Sequence, residues 1–257
     1  MKIALLIVLM TATCCVAQNP GPSITGAIAT SSSGTTNHAR QFNGTSDYLV
    51  SASSLSLTGL TTSTIALEFR AYWNAWGTND LLAFESSTNS NSNPGAFIVD
   101  MNSSAYSGNI QYAVRETSGF LICTIAQPSA AAWHSYLLFW NISSNSCAAY
   151  VDGSSVTATV QATGTAGGFF TSQTLYVMSR AGSSLFGAGR MSEMAILNGT
   201  PTSTDASVFA ACGRPQIPGG SMPYYWPINQ TSPEVATTGG INLNVNGTTN
   251  VASPCTF

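Results

Sequence analysis

The sequence is divided into short apolar runs separated by clusters of Asn, Ser and Gly, and this spacing limits the folds that the chain can adopt. The runs are rich in β-branched and aromatic residues, which is typical of strands, and the polar clusters between them are typical of turns. Many short strands joined by such turns indicate a sandwich or a barrel. The predicted strands are Thr64–Trp73, Leu81–Phe84, Phe97–Asp100, Ile110–Arg115, Phe120–Ile125, Trp133–Trp140, Cys147–Val151, Leu175–Met178 and Met191–Leu197.

The remaining elements follow these strands. One helix is predicted over Thr202–Ala211, with Thr204 as its N-terminal cap. Residues 213–257 contain two strand-like pieces, around Tyr224–Trp226 and Ile241–Val245. Because so short a segment cannot bury a core of its own, we expect it to complete the sandwich formed by residues 37–212.

The N-terminus has the pattern of an export signal. Lys2 precedes Ile3–Met10, an apolar run that is long enough for a signal-peptide core and too short to span a membrane. Cys15-Val16-Ala17 offers a cleavage site, so we expect residues 1–17 to be removed and the protein to be secreted. Lipid attachment to Cys14 or Cys15 is the alternative. No later stretch is apolar enough to form a membrane span.

The charge composition excludes some partners. Charged residues make up 7% of the chain, against about 25% in an average protein, and the only lysine is Lys2 in the expected leader. The net charge of −3 argues against nucleic acid and against anionic lipid. Residues 18–36 are rich in Gly, Pro, Ser and Thr and are predicted to form an extended arm.

Four cysteines remain after the leader, namely Cys123, Cys147, Cys212 and Cys255. An even number in an exported chain suggests two disulfides. A bond between Cys212 and Cys255 would attach the C-terminal segment and leave Cys123 for Cys147. If the strands that hold this second pair flank Trp133–Trp140 in a simple meander, however, they lie roughly 9–10 Å apart, which is too far for a disulfide. The sequence alone leaves the pairing open.

Five segments resemble, in the correct order, the motifs of laminin-G-like domains of the concanavalin-A-like superfamily. They are FNGTSDYL at 42–49, STIALEFRAYW at 63–73, WHSYLLFW at 133–140, CAAYVDG at 147–153 and LYVMSRAGSSLFGAGRMSEMAILNGTPTS at 175–203. The resemblance implies an all-β fold, an antiparallel two-sheet jelly-roll sandwich with one short helix. It also implies a binding module for carbohydrate or glycoprotein.

The strand Thr64–Trp73 suggests where a ligand could bind. Apolar and polar residues alternate along this strand, which places one side in the core and leaves the other side polar. Arginine and carboxylate groups hydrogen-bond sugar hydroxyls, and aromatic rings stack on sugars. We therefore expect a groove lined by Glu68, Arg70, Tyr72, Trp76, Arg115 and His134. The structural alternative is that Glu68 and Arg70 neutralise each other or their cross-strand neighbours.

The same strand argues against catalysis. Glucanases of this sandwich shape carry carboxylates in a Glu-x-Asp-x-x-Glu pattern, because glycoside cleavage needs two carboxyl groups about 5–5.5 Å apart. Here Glu68 is followed by Phe69 and Arg70, so an arginine replaces the second carboxylate. No Gly-x-Ser-x-Gly motif is present. We expect a protein that is not an enzyme.

Calcium is the one cofactor that the resemblance implies. Many laminin-G-like domains hold it with oxygen atoms from loops, as a hard cation requires, and the matching candidates are Asp47, Asn79, Asp80 and Asp152. Asp47 and Asp152 also fit as ordinary turn residues. No His/Cys cluster supports zinc.

Six Asn-x-Ser/Thr sequences could accept glycans in a host that glycosylates secreted proteins. They begin at Asn43, Asn102, Asn141, Asn198, Asn229 and Asn246.

Two functions remain open. One is a binding module that recognises carbohydrate or glycoprotein. The other is a structural subunit of an extracellular fibre, coat or sheath, in which the arm at 18–36 pairs with the sheet edge of another copy of the chain.

Overall fold

The computed structural model describes residues 36–57, 64–165, 170–216, 220–228 and 231–256. The expected leader and all but the last residue of the expected arm lie outside these ranges, as does the sequon at Asn229. One α-helix, one 3-10 helix (Ser90–Ser92) and sixteen strands lie within them. The strands are β1 (Thr36–Asn43), β2 (Tyr48–Ser51), β3 (Thr64–Trp73), β4 (Leu82–Glu85), β5 (Phe97–Asp100), β6 (Asn109–Arg115), β7 (Phe120–Ala126), β8 (Trp133–Asn141), β9 (Ser146–Val151), β10 (Ser154–Val156), β11 (Thr159–Ala162), β12 (Tyr176–Val177), β13 (Ala188–Asn198), β14 (Ser221–Trp226), β15 (Leu243–Asn246) and β16 (Thr249–Thr256).

The strands form two antiparallel sheets, so the predicted sandwich is confirmed. Sheet A has the order β10-β9-β8-β3-β13-β1-β16, and β14 pairs with the free part of β13. Sheet B has the order β11-β7-β6-β5-β4-β12-β2-β15. The three C-terminal strands are divided between the two sheets, with β14 and β16 in sheet A and β15 in sheet B.

The core lies between the sheets and follows the alternation read from the sequence. In β3, Leu67, Phe69 and Trp73 are buried in this core. Trp140 of β8 meets Tyr112 of β6 across it, with ring centroids 5.4 Å apart. Trp226 of β14 is buried in the same core.

The helix α1 (Ser203–Ala210) lies against the outer face of sheet A. Thr202 is its cap, and Thr202 and Asp205 form a reciprocal capping box. The prediction of Thr204 as the cap was therefore wrong by two residues. The difference arises because the Asp205 carboxylate accepts a hydrogen bond of 2.7 Å from the backbone N–H of Thr202, which fixes Thr202 at the start of the helix.

The structure contains two disulfides, Cys123–Cys147 and Cys212–Cys255. The assumption of a simple meander around β8 was wrong, because the chain crosses from sheet B to sheet A between β7 and β8. Cys123 and Cys147 therefore face each other across the core, and their Cα atoms are 6.5 Å apart. This bond joins the two sheets beside the Tyr112–Trp140 contact, since Cys123 pairs with Tyr112 and Cys147 pairs with Trp140.

We predict that removing the inter-sheet disulfide lowers the free energy of unfolding by about 3–4 kcal/mol, the entropic value for a closed loop of this length. Urea denaturation of the Cys123→Ala/Cys147→Ala variant measures the loss. Either single variant should lose nearly as much, because one substitution already breaks the bond. A loss below about 1 kcal/mol in all three variants would contradict a bond that constrains the fold.

Candidate functional site

Glu68 and Arg70 lie beneath the helix and not in an open groove. Both are buried, with exposed fractions of 0% and 2%. The Arg70 guanidinium lies 3.8 Å from the centroid of the Phe209 ring of α1 and donates a hydrogen bond to the Phe209 carbonyl. The prediction that these two residues bind a ligand is therefore wrong for the folded chain, because α1 covers this part of the polar side of β3.

Arg70 is neutralised by a residue that the sequence did not single out. Its guanidinium forms a buried ion pair with Glu193, which also accepts a hydrogen bond of 2.8 Å from the Tyr225 hydroxyl. Glu193 is the extra residue of a bulge in β13, where Ser192 pairs with Arg70 and Met194 pairs with Phe69. A bulge re-aims a side chain, and here it turns a carboxylate from the core side to the outer face. The only hint in the sequence is that methionines at 191 and 194 break the two-residue period.

Burial sets the charge of this cluster. It raises the pKa of Glu68 to about 9, even though Arg70 nearby opposes the shift. Glu68 is therefore neutral at pH 7, and one arginine is balanced by one carboxylate, Glu193. Burial also lowers the pKa of Arg70 to about 10, which leaves the guanidinium protonated at pH 7.

The other predicted ligand residues do not form one groove, although His134 shares a cavity with Arg70. Tyr72 is partly exposed at the end of β3 that α1 leaves uncovered, and its ring meets Trp133 of β8. Trp76 packs on Trp73 and donates to the Pro128 carbonyl at 2.9 Å. Arg115 lies in β6 of sheet B, on the opposite sheet from β3. The prediction of one groove that joins Arg115 to β3 was wrong, because β6 and β3 belong to opposite sheets.

His134 forms local contacts that fix a loop. Its Nδ1 lies 2.6 Å from the Asp152 carboxylate, and its Nε2 lies 2.9 Å from the Ser129 carbonyl. Asp152 also accepts a hydrogen bond from the backbone N–H of Ser135. Because the two ring nitrogens contact Asp152 and Ser129, the imidazole holds the β9–β10 turn against the loop before β8.

The candidates for calcium are not gathered at one place. Asp47 is 6% exposed and accepts the backbone N–H of Asn43 within its own turn. Asp152 binds His134 as above, and Asn79 and Asp80 lie in the loop before β4. Within the described ranges no group of three Asp, Glu, His or Cys side chains could hold a metal ion. Calcium binding by these residues stays a prediction.

The sequons differ in accessibility. The Asn102 side chain is 6% exposed and donates hydrogen bonds to the carbonyls of Gly77 and Asn79, both at 2.8 Å. A glycan at Asn102 does not fit the folded chain, so that prediction was wrong. Asn43 is exposed.

The outer face of sheet B carries a concave surface, which we call the sheet-B groove. Its floor is a small apolar layer formed by Leu82, Ile98 and Ala113, with Phe120 and Ile122 packed against it. The cavity above this floor has a volume of about 210 Å³. Its walls are polar and include Asp80, Asp100, Ser103, Ser104, Gln111 and Arg180.

A second cavity extends the sheet-B groove towards the β1–β2 turn. Its volume is about 450 Å³, it shares Asp80, Ser104 and Leu185 with the first cavity, and its wall includes Phe186. Each cavity therefore combines an aromatic side chain with hydrogen-bonding groups. Asn79 and Asp80, two of the predicted site residues, are part of this second cavity.

The polar groups of the groove are held in place by neighbours. Gln111 accepts a hydrogen bond from the Ser103 hydroxyl at 2.8 Å, and within the described part of the chain its amide nitrogen donates to no protein group. Arg180 donates through Nε to Glu85 at 2.8 Å. These contacts orient side chains whose remaining donors are free for a ligand.

The pKa values of the two aspartates of the groove are shifted in opposite directions. Burial, with a smaller contribution from Asp80, raises the pKa of Asp100 to about 6. Burial would also raise the pKa of Asp80, but hydrogen bonds from Ser104 and Asp100 lower it below its usual value. Below about pH 6 a proton on Asp100 bridges to an ionised Asp80, whereas above it both carboxylates are ionised, and with the charge of Arg180 balanced by Glu85 the groove carries a net negative charge.

No protein-family model and no curated protein sequence matches the chain. Among solved structures, a heptameric SAP-like pentraxin from Limulus polyphemus is similar at a TM-score of 0.58 and 13% identity, over 87% of this chain and 98% of the pentraxin. A Bacteroides ovatus protein described as a candidate carbohydrate-binding protein is similar at a TM-score of 0.59 and 16% identity, over 86% of this chain and 61% of that protein. A mouse laminin α1 fragment, domains LG4-5, aligns over 62% of this chain at 14% identity with a TM-score of 0.43, too low to support an argument.

These similarities establish the fold. The chain shares the antiparallel two-sheet sandwich fold of these structures, which is the fold that the motifs in the sequence predicted. None of the described helices is long and apolar enough to cross a membrane, and the two disulfides fit an extracellular protein.

We predict that Arg70 stabilises the fold. Arg70→Ala should lower the free energy of unfolding by about 3–5 kcal/mol, because it leaves the buried carboxylate of Glu193 without a countercharge. Arg190→Ala is the matched control and should lose about 1 kcal/mol or less, since Arg190 is partly exposed and has no ion pair among the described residues. Thermal or urea denaturation compares the two, and equal losses would show that the buried pair has no structural role.

We also predict that Asp100 makes stability depend on pH. The folded protein holds this proton up to about pH 6, whereas the unfolded chain releases it near the ordinary pKa of 3.8. Stability from this group is thus fully present below pH 3.8 and is lost as the pH rises through 6, by about 3 kcal/mol in total. Asp100→Asn should remove this loss in urea denaturation at pH 4 to 7; an unchanged slope in the variant would contradict a raised pKa.

Proposed function

We propose that the chain is a secreted carbohydrate-binding module whose binding surface is the sheet-B groove. The observation that carries the proposal is the combination, on one open face, of an apolar floor with Phe120 and a wall of oriented polar groups. Sugars present both apolar C–H faces and hydroxyl groups, so they are bound by an aromatic surface surrounded by fixed donors and acceptors. The fold similarity to the Bacteroides ovatus protein agrees with this proposal.

The charge of the groove indicates which sugars bind. At pH 7 Asp80 and Asp100 are ionised, the charge of Arg180 is balanced by Glu85, and Arg115, whose guanidinium lies 4.8 Å from the Phe120 ring, offsets only one of the two carboxylates. An anionic sugar would meet net negative charge, whereas hydroxyl groups can donate to Asp80 and accept from Gln111. We therefore propose neutral sugars as the ligands, in an oligosaccharide that extends from Phe120 towards Phe186.

The groove offers no catalytic arrangement. Asp100 is 5% exposed and shares a proton with Asp80 only below about pH 6, and both carboxylates accept backbone hydrogen bonds, from Leu81, Asn102 and Ser104. Such a fixed pair is suited to holding a hydroxyl group. The module is proposed to bind without cleaving.

We predict that a panel of immobilised neutral oligosaccharides retains the protein and that Phe120→Ala weakens the strongest interaction by about tenfold or more. Gln111→Ala should weaken it by about three- to tenfold, the value of one hydrogen bond. Isothermal titration calorimetry measures both.

Gln161→Ala is the matched control, because Gln161 lies on β11 of the same sheet but does not line the groove. It should change the affinity less than twofold. Equal effects of Gln111→Ala and Gln161→Ala, or binding that survives Phe120→Ala unchanged, would overturn the groove as the site. Titration in calcium and in EDTA tests whether Asn79 and Asp80 hold the cation that the resemblance implies.

A further inference from the structure

A row of three side chains crosses the outer face of sheet A where α1 does not cover it. Arg190 of β13 pairs with Tyr72 of β3, and Tyr72 pairs with Trp133 of β8. Residues that pair directly across antiparallel strands lie on the same face of the sheet. The adjacent Met191, Ala71 and Trp73 belong to the core, so the row lies on the outer face. All three side chains of this row, which we call the sheet-A row, are partly exposed.

The arginine of the sheet-A row is oriented and has no countercharge. Its guanidinium carbon lies 4.8 Å from the centroid of the Tyr72 ring, and the Tyr72 ring meets Trp133 at 6.0 Å. The ion pairs in the described ranges involve the other arginines Arg40, Arg70 and Arg180, and none of them involves Arg190. Its Nε is buried without a hydrogen-bond partner in the described chain. Tyr72 therefore holds a planar, permanently charged fork of donors whose charge no carboxylate offsets.

The surface next to the row can hold the rest of a ligand. Trp133 also lines a cavity of about 200 Å³, together with Arg70, His134, Ser135 and Asp152. Because the Asp152 carboxylate, which pairs with His134 at 2.6 Å, lies in this cavity, the cavity suits an uncharged part of the ligand and the anionic group is placed at Arg190. Arg190 and Trp133 are two strand spacings apart, roughly 9–10 Å, which is more than one sugar ring. An arginine fork recognises carboxylate and sulfate groups through paired hydrogen bonds, and a tryptophan ring stacks on the apolar face of a sugar.

We propose that the sheet-A row is a second carbohydrate site, specific for sugars that carry an anionic group. Arg190 binds the carboxylate or sulfate, Trp133 stacks on a neighbouring sugar ring, and Tyr72 positions Arg190. This site lies on the opposite face of the sandwich from the sheet-B groove and is of opposite charge. It does not depend on the groove being a sugar site.

The test uses the full chain and three probes, namely an oligogalacturonate, a sulfated oligosaccharide of similar length and a neutral oligosaccharide. We expect calorimetry to detect binding of at least one anionic probe, weakened by salt, and Arg190→Gln to reduce its affinity about tenfold or more. Arg214→Gln removes the same charge from an exposed residue after α1 and should change the affinity less than twofold. Whether the oligogalacturonate or the sulfated probe binds more tightly identifies the anion.

The contrary outcomes are distinct from a failure of the groove. Equal effects of Arg190→Gln and Arg214→Gln, equal affinity for neutral and anionic probes, or no binding of either anionic probe would each overturn the second site. Gln111→Ala in the sheet-B groove should leave the affinity for the anionic probe unchanged. A lower affinity of this variant would show that the anionic probe binds in the groove instead. Circular dichroism of Arg190→Gln confirms that the variant is folded before binding is measured.

Discussion

The burial of β3 on both faces is the constraint on which the rest of the structure depends. Its core side packs between the sheets, and its outer side carries Glu68 and Arg70, which must be neutralised once they are covered. The bulge at Glu193 provides the countercharge, and α1 provides the cover. The Cys212–Cys255 bond then fixes the chain that follows the helix to β16. A ligand surface on sheet A is thereby restricted to the end of β3 that the helix does not reach.

Covering one face of the sandwich leaves the other face open. None of the described α-helical residues covers sheet B, and its outer side is closed only in part, by the short 3-10 helix Ser90–Ser92 and by the loop that carries Leu185. The result is a groove with an apolar floor and polar walls, with a negative net charge. The uncovered end of sheet A has a positive charge instead, because Arg190 has no carboxylate partner among the residues that the structure describes. The two faces therefore favour ligands of different charge.

The sequence predicted much of the fold because strand periodicity is a local property. β3 and β5 have the bounds that were expected, and the core side of β3 is the predicted one. The sheet to which each strand belongs is not local, and a meander was the wrong assumption where the chain crosses between β7 and β8. That single error misplaced Arg115 and made the Cys123–Cys147 bond look too long. The groove was missed for a related reason: Asp80, Gln111 and Arg180 are far apart in sequence and meet only through the order of sheet B.

Mapping of a bound neutral oligosaccharide by NMR tests the central claim, that the open face of sheet B is the sugar-binding surface. Backbone amide shifts are recorded while the tightest-binding neutral oligosaccharide is added to the isotope-labelled protein. We expect the largest shift changes on β6 and β7, at Gln111, Phe120 and Ile122, and on the loop at Asp80. Changes concentrated on sheet A or at the sheet edges, with β6 and β7 unaffected, would contradict this claim.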